Sequence, residues 1–289
     1  MASMRDIKRR KESIQSTGQI TKAMKLVSTV RLQKAKSRAE SSKPYFDYMY
    51  NTVTSILKKA GRIKHPYLEG GDSKKKAIIV ITSNRGLAGG YNSNITKLIT
   101  NGDFKKEEVI IYAIGRKGRD ALYRRGYDVV KDYSEVMNQP LYSDAARIGL
   151  DVLEAFSKGE FGEIYLAYTV FKNTVSQVPT LIKLLPIDPA KEEQEEKKTD
   201  IESLTLMNFE PEAEEALDLI IPKYMKSLIY GALVESHASE NGARMQAMDS
   251  ATNNAQDMID SLSLSYNRAR QASITQEITE IVAGASAIS

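Results

Sequence analysis

From Lys223 to Ser289 the chain contains no proline and only three glycines, Gly231, Gly242 and Gly284. Nothing in that stretch stops a helix, and a helix of some 65 residues spans roughly 100 Å, too long to hide in the core of one ordinary domain. It needs a partner along its length. Met248, Ala251, Ala255, Met258, Leu262 and Ala269 recur along it at three-and-four spacing, the seam of a coiled coil whose small residues permit close approach. Upstream, Pro211 suits a first helical turn and Pro222 predicts a kink or a restart.

A partner stands at the other end. From Ser3 to about Lys59 the pattern predicts a second long helix of roughly 85 Å, with Ile20, Met24, Val27 and Val30 on one stripe. Gly18 and Pro44 are its interruptions, and Pro44 is expected to bend the rod or end its first section. Two such helices at opposite ends of a chain suggest an antiparallel hairpin in which the longer, C-terminal one overhangs by about 15 Å. The overhanging end carries Ile278, Ile281, Val282, Ala285 and Ile288, with no charge after Glu280. An apolar stripe with no partner in its own chain marks a binding surface. A polar collar, Arg268, Arg270, Gln271 and Thr275, precedes it.

Between the helices the rhythm changes. Short β-rich runs at 77–82, 109–115, 127–133, 163–171 and 178–186 alternate with helical stretches such as "RKGRDALYRRG" and "YSDAARIGLDVLEAFSKGE". That alternation argues an α/β domain with a mainly parallel sheet covered by helices. Residues 191–202, "KEEQEEKKTDIE", read as a charged loop.

The net charge of +4 hides a division: residues 1–64 hold 16 Lys/Arg against 4 Asp/Glu, and the remainder is acidic. Such a basic strip could meet nucleic acid, anionic lipid or an acidic protein surface. Residues 1–43 contain no Phe, Tyr or Trp on which bases could stack, and no DNA-reading turn is recognisable, so a protein-facing or solvated helix is favoured over nucleic acid. No run approaches the ~20 apolar residues of a membrane span, and no signal peptide is apparent. With no cysteine, disulfides and thiol catalysis are excluded.

The loop "TSNRGLAGGYNSN" (82–94) follows a strand and precedes a helix, where amides could receive a phosphate. It has neither the Gly-Lys-Ser/Thr ending of a phosphate loop nor Gly-x-Gly-x-x-Gly spacing, and reads as a structural turn. His65 and His237 are isolated, so no metal site is expected. No nucleophile motif appears, and no cofactor or catalytic residue is expected. The main rival reading is a binding module that uses the basic helix on nucleic acid; a second is a free-standing α/β enzyme with helical arms, which demands catalysis by the chain alone.

Three segments, "MASMRDIKRRKESIQSTGQITKAMKLVSTVRLQKAK", "NRGLAGGYN" and "ASENGARMQAMDSATNNAQDMIDSLSLSYNRARQASITQEITEIVAGASAI", resemble the γ subunits of F-type ATP synthases. They cover about a third of the chain, in the family's order. Ala88 stands where many members have Cys and Asn84 where many have Asp, and no inserted cysteine pair is present. The resemblance implies a long antiparallel two-helix coiled coil (1–60 with 211–289) plus a central Rossmann-like α/β domain (74–186), joined by a charged linker (187–210). It implies a non-catalytic rotor shaft coupling ion flow to ATP synthesis or hydrolysis. The expected partners are the hexameric head of catalytic and noncatalytic subunits, the ε subunit and the membrane c-subunit ring, on the cytoplasmic face of a bacterial cell membrane. Carried over by motif, Met24, Glu240 and Arg244 would face the catalytic subunits, with Arg270, Gln271 and Thr275 as a polar catch. The apolar tip would be a bearing, and Met207, Phe209 and Glu210 a foot on the membrane ring.

Overall fold

The computed structural model describes residues 4–60, 65–71, 73–187 and 213–286. The apolar runs form the strands expected of them: β1 (Lys76–Ile81), β2 (Val109–Ile114), β3 (Asp128–Asp132), β4 (Glu163–Phe171) and β5 (Gln177–Leu185). They make one sheet in the order β3-β2-β1-β4-β5, in which the first four run parallel and β5 antiparallel to β4. β1 and β2 are continuous apolar runs because both of their faces are covered. Ala77, Ile79 and Ile81 pack in one core with Ile148 and Val152 of a helix at Tyr142–Ser157; Ile78 and Val80 face the other way, toward Ile95, Ile99 and Leu122. Each of these isoleucines is fully buried, worth about 1.5–3 kcal/mol relative to exposure.

The helices are α1 (Met4–Ala60), α2 (Pro66–Glu69), α3 (Tyr91–Thr100), α4 (Arg116–Tyr123), α5 (Tyr142–Ser157) and α6 (Ala213–Ser286). Leu217, Ile221, Met225, Ile229 and Leu233 put one face of α6 into the same core as α5. Neither proline ends its helix: α1 continues through Pro44 and α6 through Pro222. Each proline takes away the donor for the carbonyl four residues earlier, but Glu40 and Asp218 are exposed, so water can replace it. Ile221 and Met225, both fully buried, hold α6 to the sheet on either side of its proline. The short α2 was not legible in the sequence. His65, one of the two isolated histidines, caps it: the Tyr67 N–H donates to His65 Nδ1 at 3.2 Å, and the other ring nitrogen lies 3.2 Å from Asp218 Oδ1.

By its contacts the chain divides into two compact units, residues 1–29 with 244–289 and residues 30–243, so both long helices contribute to each. In the first unit α1 and α6 pair antiparallel: a Cβ on Gly18 would stand 3.4 Å from that of Ala255, Thr21 and Thr252 share a 2.8 Å hydrogen bond, and Lys25 Nζ meets Asp249 Oδ1 at 2.5 Å. The packed stripe of α1 is Ile7, Ile14, Gly18, Thr21 and Ser28, all buried or half-buried, and not the expected one: Ile20 is 58% and Val27 54% exposed. On α6, Ile259 takes the inward place expected of Met258, which is exposed. Small residues win the seam because they bring the two backbones close and let hydroxyls bond across it.

The sheet also carries an ion-pair cluster that makes a pH prediction. Glu163 on β4 receives Lys183 at 2.7 Å, Lys76 at 3.1 Å and the Tyr165 hydroxyl at 3.0 Å. Burial alone would raise its carboxyl, but these hydrogen bonds outweigh burial and hold it below the ordinary carboxylate value. A depressed folded pKa stabilises above the unfolded value and is lost as pH falls through the folded one. Glu163→Gln is therefore expected to be less stable than the parent at neutral pH. The gap in urea midpoints should shrink below about pH 4.3 and vanish at lower pH; a gap constant with pH would refute this.

Candidate functional site

In an open α/β sheet the place for a ligand is the crevice beyond the carboxyl ends of the strands where the order reverses, here between β1 and β4. The chain's own groups occupy it. After β1, the Ser83 amide donates to Asn92 Oδ1 at 2.9 Å, Asn84 Oδ1 accepts from the Arg116 amide at 3.1 Å, and Thr82 Oγ1 accepts from the Gly118 amide at 2.9 Å. The last two cap the first turn of α4, so amides that could bind an anion already have acceptors. The loop "NRGLAGGYN" itself leads into α3, whose N-cap, Gly90, makes no side-chain bond to the first turn.

β4 runs past the end of β1, so at Thr169 its backbone has no strand on that side to pair with. α6 supplies the partners: the Thr169 amide donates to Ser236 Oγ at 3.2 Å, and Ser239 Oγ donates to the Thr169 carbonyl at 3.1 Å. The Tyr91 hydroxyl donates to the Ser236 carbonyl at 3.2 Å. Ser236 and Ser239 are fully buried. This docking escaped the sequence reading; its trace was a pair of serines three apart, one turn along a helix. Ser236→Ala would leave the Thr169 amide buried without an acceptor and is expected to cost about 1–3 kcal/mol, read from urea unfolding. A neutral result would contradict the role given to this bond. Among the described residues no group of three or more potential metal ligands comes together.

The residues carried over by motif fall in different environments. Met24 is half-buried beside Lys25 in the first unit, to which Arg244 also belongs, while Glu240 lies in the second. Glu240 is 8% and Arg244 7% exposed, so both are drawn inside with the helix instead of lying on an open surface. Arg270, Gln271 and Thr275 are exposed, as are Ile278, Ile281, Val282 and Ala285. Ile288 and the proposed foot, Met207, Phe209 and Glu210, lie outside the described residues, as does the charged tract 191–202.

The antiparallel register explains the exposed end. Gly18 stands level with Ala255, so two heptads further along Met4 stands level with Ala269. From Arg270 to Ser286 α6 continues with every residue exposed except half-buried Ser273, a length of roughly 25 Å. Its apolar side chains have no cover among the described residues.

A family model described as ATP synthase matches residues 3–288. The ATP synthase gamma chain of Lachnoclostridium phytofermentans is 73% identical over the full length of both chains. The chain belongs to the ATP synthase gamma-chain family. A gamma chain from Acetobacterium woodii, named as sodium ion specific, is 42% identical over 99% of both chains. Among solved structures, the central stalk of the Tetrahymena thermophila mitochondrial ATP synthase superposes with a TM-score of 0.57 at 27% identity, covering 80% of this chain and 99% of that one. The fold is therefore the expected one, a paired-helix coiled coil with a Rossmann-like α/β domain. None of the described helices is long and apolar enough to cross a membrane.

Proposed function

We propose that the chain is the rotating central-stalk subunit of an ATP synthase and has no catalytic site of its own. The observation that carries this is the free end of α6, residues 270–286, whose apolar side chains are exposed on a helix that has outrun its partner. Family membership supplies the occupant: a hexameric head of catalytic and noncatalytic subunits that encloses the helix end. At the other end of the assembly the partners are the ε subunit and the membrane c-ring. The complex is peripheral on the cytoplasmic face of a bacterial cell membrane. The filled crevice between β1 and β4 supports the non-catalytic role, since the usual place for a nucleotide is already taken by Ser236 and Ser239.

Coupling follows from symmetry. Three catalytic sites on identical subunits are equivalent by themselves, but a pair of unlike helices has no three-fold axis and presents a different face to each. Turning the pair exchanges those faces in order, and unequal contacts shift each site between open and closed populations. Met24 and the exposed Ile20, Leu26 and Val27 are the groups α1 offers, and Arg270, Gln271 and Thr275 those of α6 below its tip. Purifying the tagged chain from its native cell should bring with it a magnesium-dependent ATPase, while the chain alone hydrolyses nothing. Hydrolysis by the isolated chain, or recovery without ATPase, would overturn the reading.

A further inference from the structure

Within the unit of residues 30–243 lies a cavity of ≈ 710 Å³ bounded by α1, β4 and β5, and α6, which a shaft has no need of. Its volume is that of a site for a small organic molecule. Tyr168, Phe171 and Tyr224 give it aromatic walls, extended by Ile182 and Leu228. Tyr224 is buried, whereas Lys36 and Lys172 are exposed at the rim and form no ion pair among the described residues. Glu40, one turn along α1 from Lys36, is the exposed counter-charge, and half-buried Glu235 lies further in, so the rim is net positive and the interior is not. Ser227 also lines the cavity: it is 1% exposed, and its hydroxyl has no hydrogen-bond partner among the described residues. A helical serine usually returns its hydroxyl to the carbonyl four residues back, and a buried hydroxyl left unbonded is costly.

We propose that this cavity binds an amphipathic monocarboxylic acid, its apolar body between Tyr168, Phe171 and Tyr224 and its carboxylate on the rim lysines Lys36 and Lys172. The aromatic walls suit a flexible chain or a planar ring, and the two rim lysines select an anion over an amine of the same body. The body takes the interior, where a second carboxylate would meet Glu235. The site binds the free acid from solution.

Decanoate, kept below the concentration at which it aggregates, is titrated into the purified full-length chain by calorimetry, with decyltrimethylammonium as the cation of matching chain. Saturable one-to-one binding of decanoate and none of the cation is expected. Lys36→Gln with Lys172→Gln should weaken it about tenfold. Ala39→Trp, which fills the cavity from α1, should remove it while the helical circular dichroism stays that of the parent. Absence of saturable binding overturns the proposal, as does equal binding of the cation or undiminished binding by the lysine variant, whatever the fate of the filled one. Binding to phosphatidylglycerol vesicles without binding of free decanoate would make the surface a lipid contact and overturn it too.

Discussion

Gly115→Ala is expected to remove much of the stability of the unit built on the sheet. Gly115 ends β2 and opens α4 at φ +102°, in a backbone region that residues with a Cβ avoid, and an added Cβ would stand 2.0 Å from the carbonyl oxygen of Thr82. The obstacle is backbone, which no rotamer change relieves. Thr82 is itself fixed there: its amide donates to the Ile114 carbonyl at 2.7 Å and its hydroxyl lies 3.1 Å from the Gly115 carbonyl. To admit a methyl group the ends of β1 and β2 must part, losing those bonds in addition to the conformational penalty. Strain of about 1–3 kcal/mol, overpacking of similar size and one or two lost hydrogen bonds sum to about 4 kcal/mol or more. A domain stable by about 5–15 kcal/mol would lose much of its margin. Gly126 is the control. It too has positive φ, +82°, but nothing lies within 4 Å of an added Cβ, so Gly126→Ala should cost only about 1–2 kcal/mol. Equal urea midpoints for the two variants would show that the contact with Thr82 carries no energy.

That glycine illustrates what the sequence hides. The strands were legible because β1 and β2 are unbroken apolar runs, the pattern of a sheet covered on both faces, and the helices because their interiors lack breakers. The register of the helix pair was not. α1 carries two stripes, one through Ile20, Val27 and Val30 and another through Gly18, Thr21 and Ser28, and hydrophobic periodicity selects the first. Close packing selects the second, because Gly18 admits Ala255 and Thr21 bonds Thr252 where isoleucine and valine would hold the helices apart. The richer stripe is left exposed. Glu240 and Arg244 differ in the opposite direction: charges in such a motif suggest exposure, and within this chain both are buried, near a stretch of α6 whose serines replace a missing strand at Thr169. Whether a serine serves a strand end is a tertiary fact with no periodicity to announce it.

Changing Ile278, Ile281 and Val282 together to aspartate separates folding from assembly. These side chains are exposed, Ile281 at 71%, and none of them supports the pairing of α1 with α6, which the register ends near Ala269. The isolated chain should keep its thermal midpoint, with a change within about 1 kcal/mol from altered helix propensity at the end. Assembly should not survive so well. On the proposed bearing role, burying three exposed aliphatic side chains contributes on the order of 3 kcal/mol, and three carboxylates taken into the same contact would have to be stripped of water. The affinity for the purified head subunits should fall at least about 100-fold. The readout is the ATPase activity that co-purifies with tagged chain in a titration. Tyr123→Asp, at an equally exposed residue on α4, tests whether any added surface charge does the same. A triple variant that assembles as tightly as the parent would detach the end of α6 from the bearing role. A triple variant that unfolds would mean that those side chains are packed within the chain and that the end of α6 is not free to enter a partner.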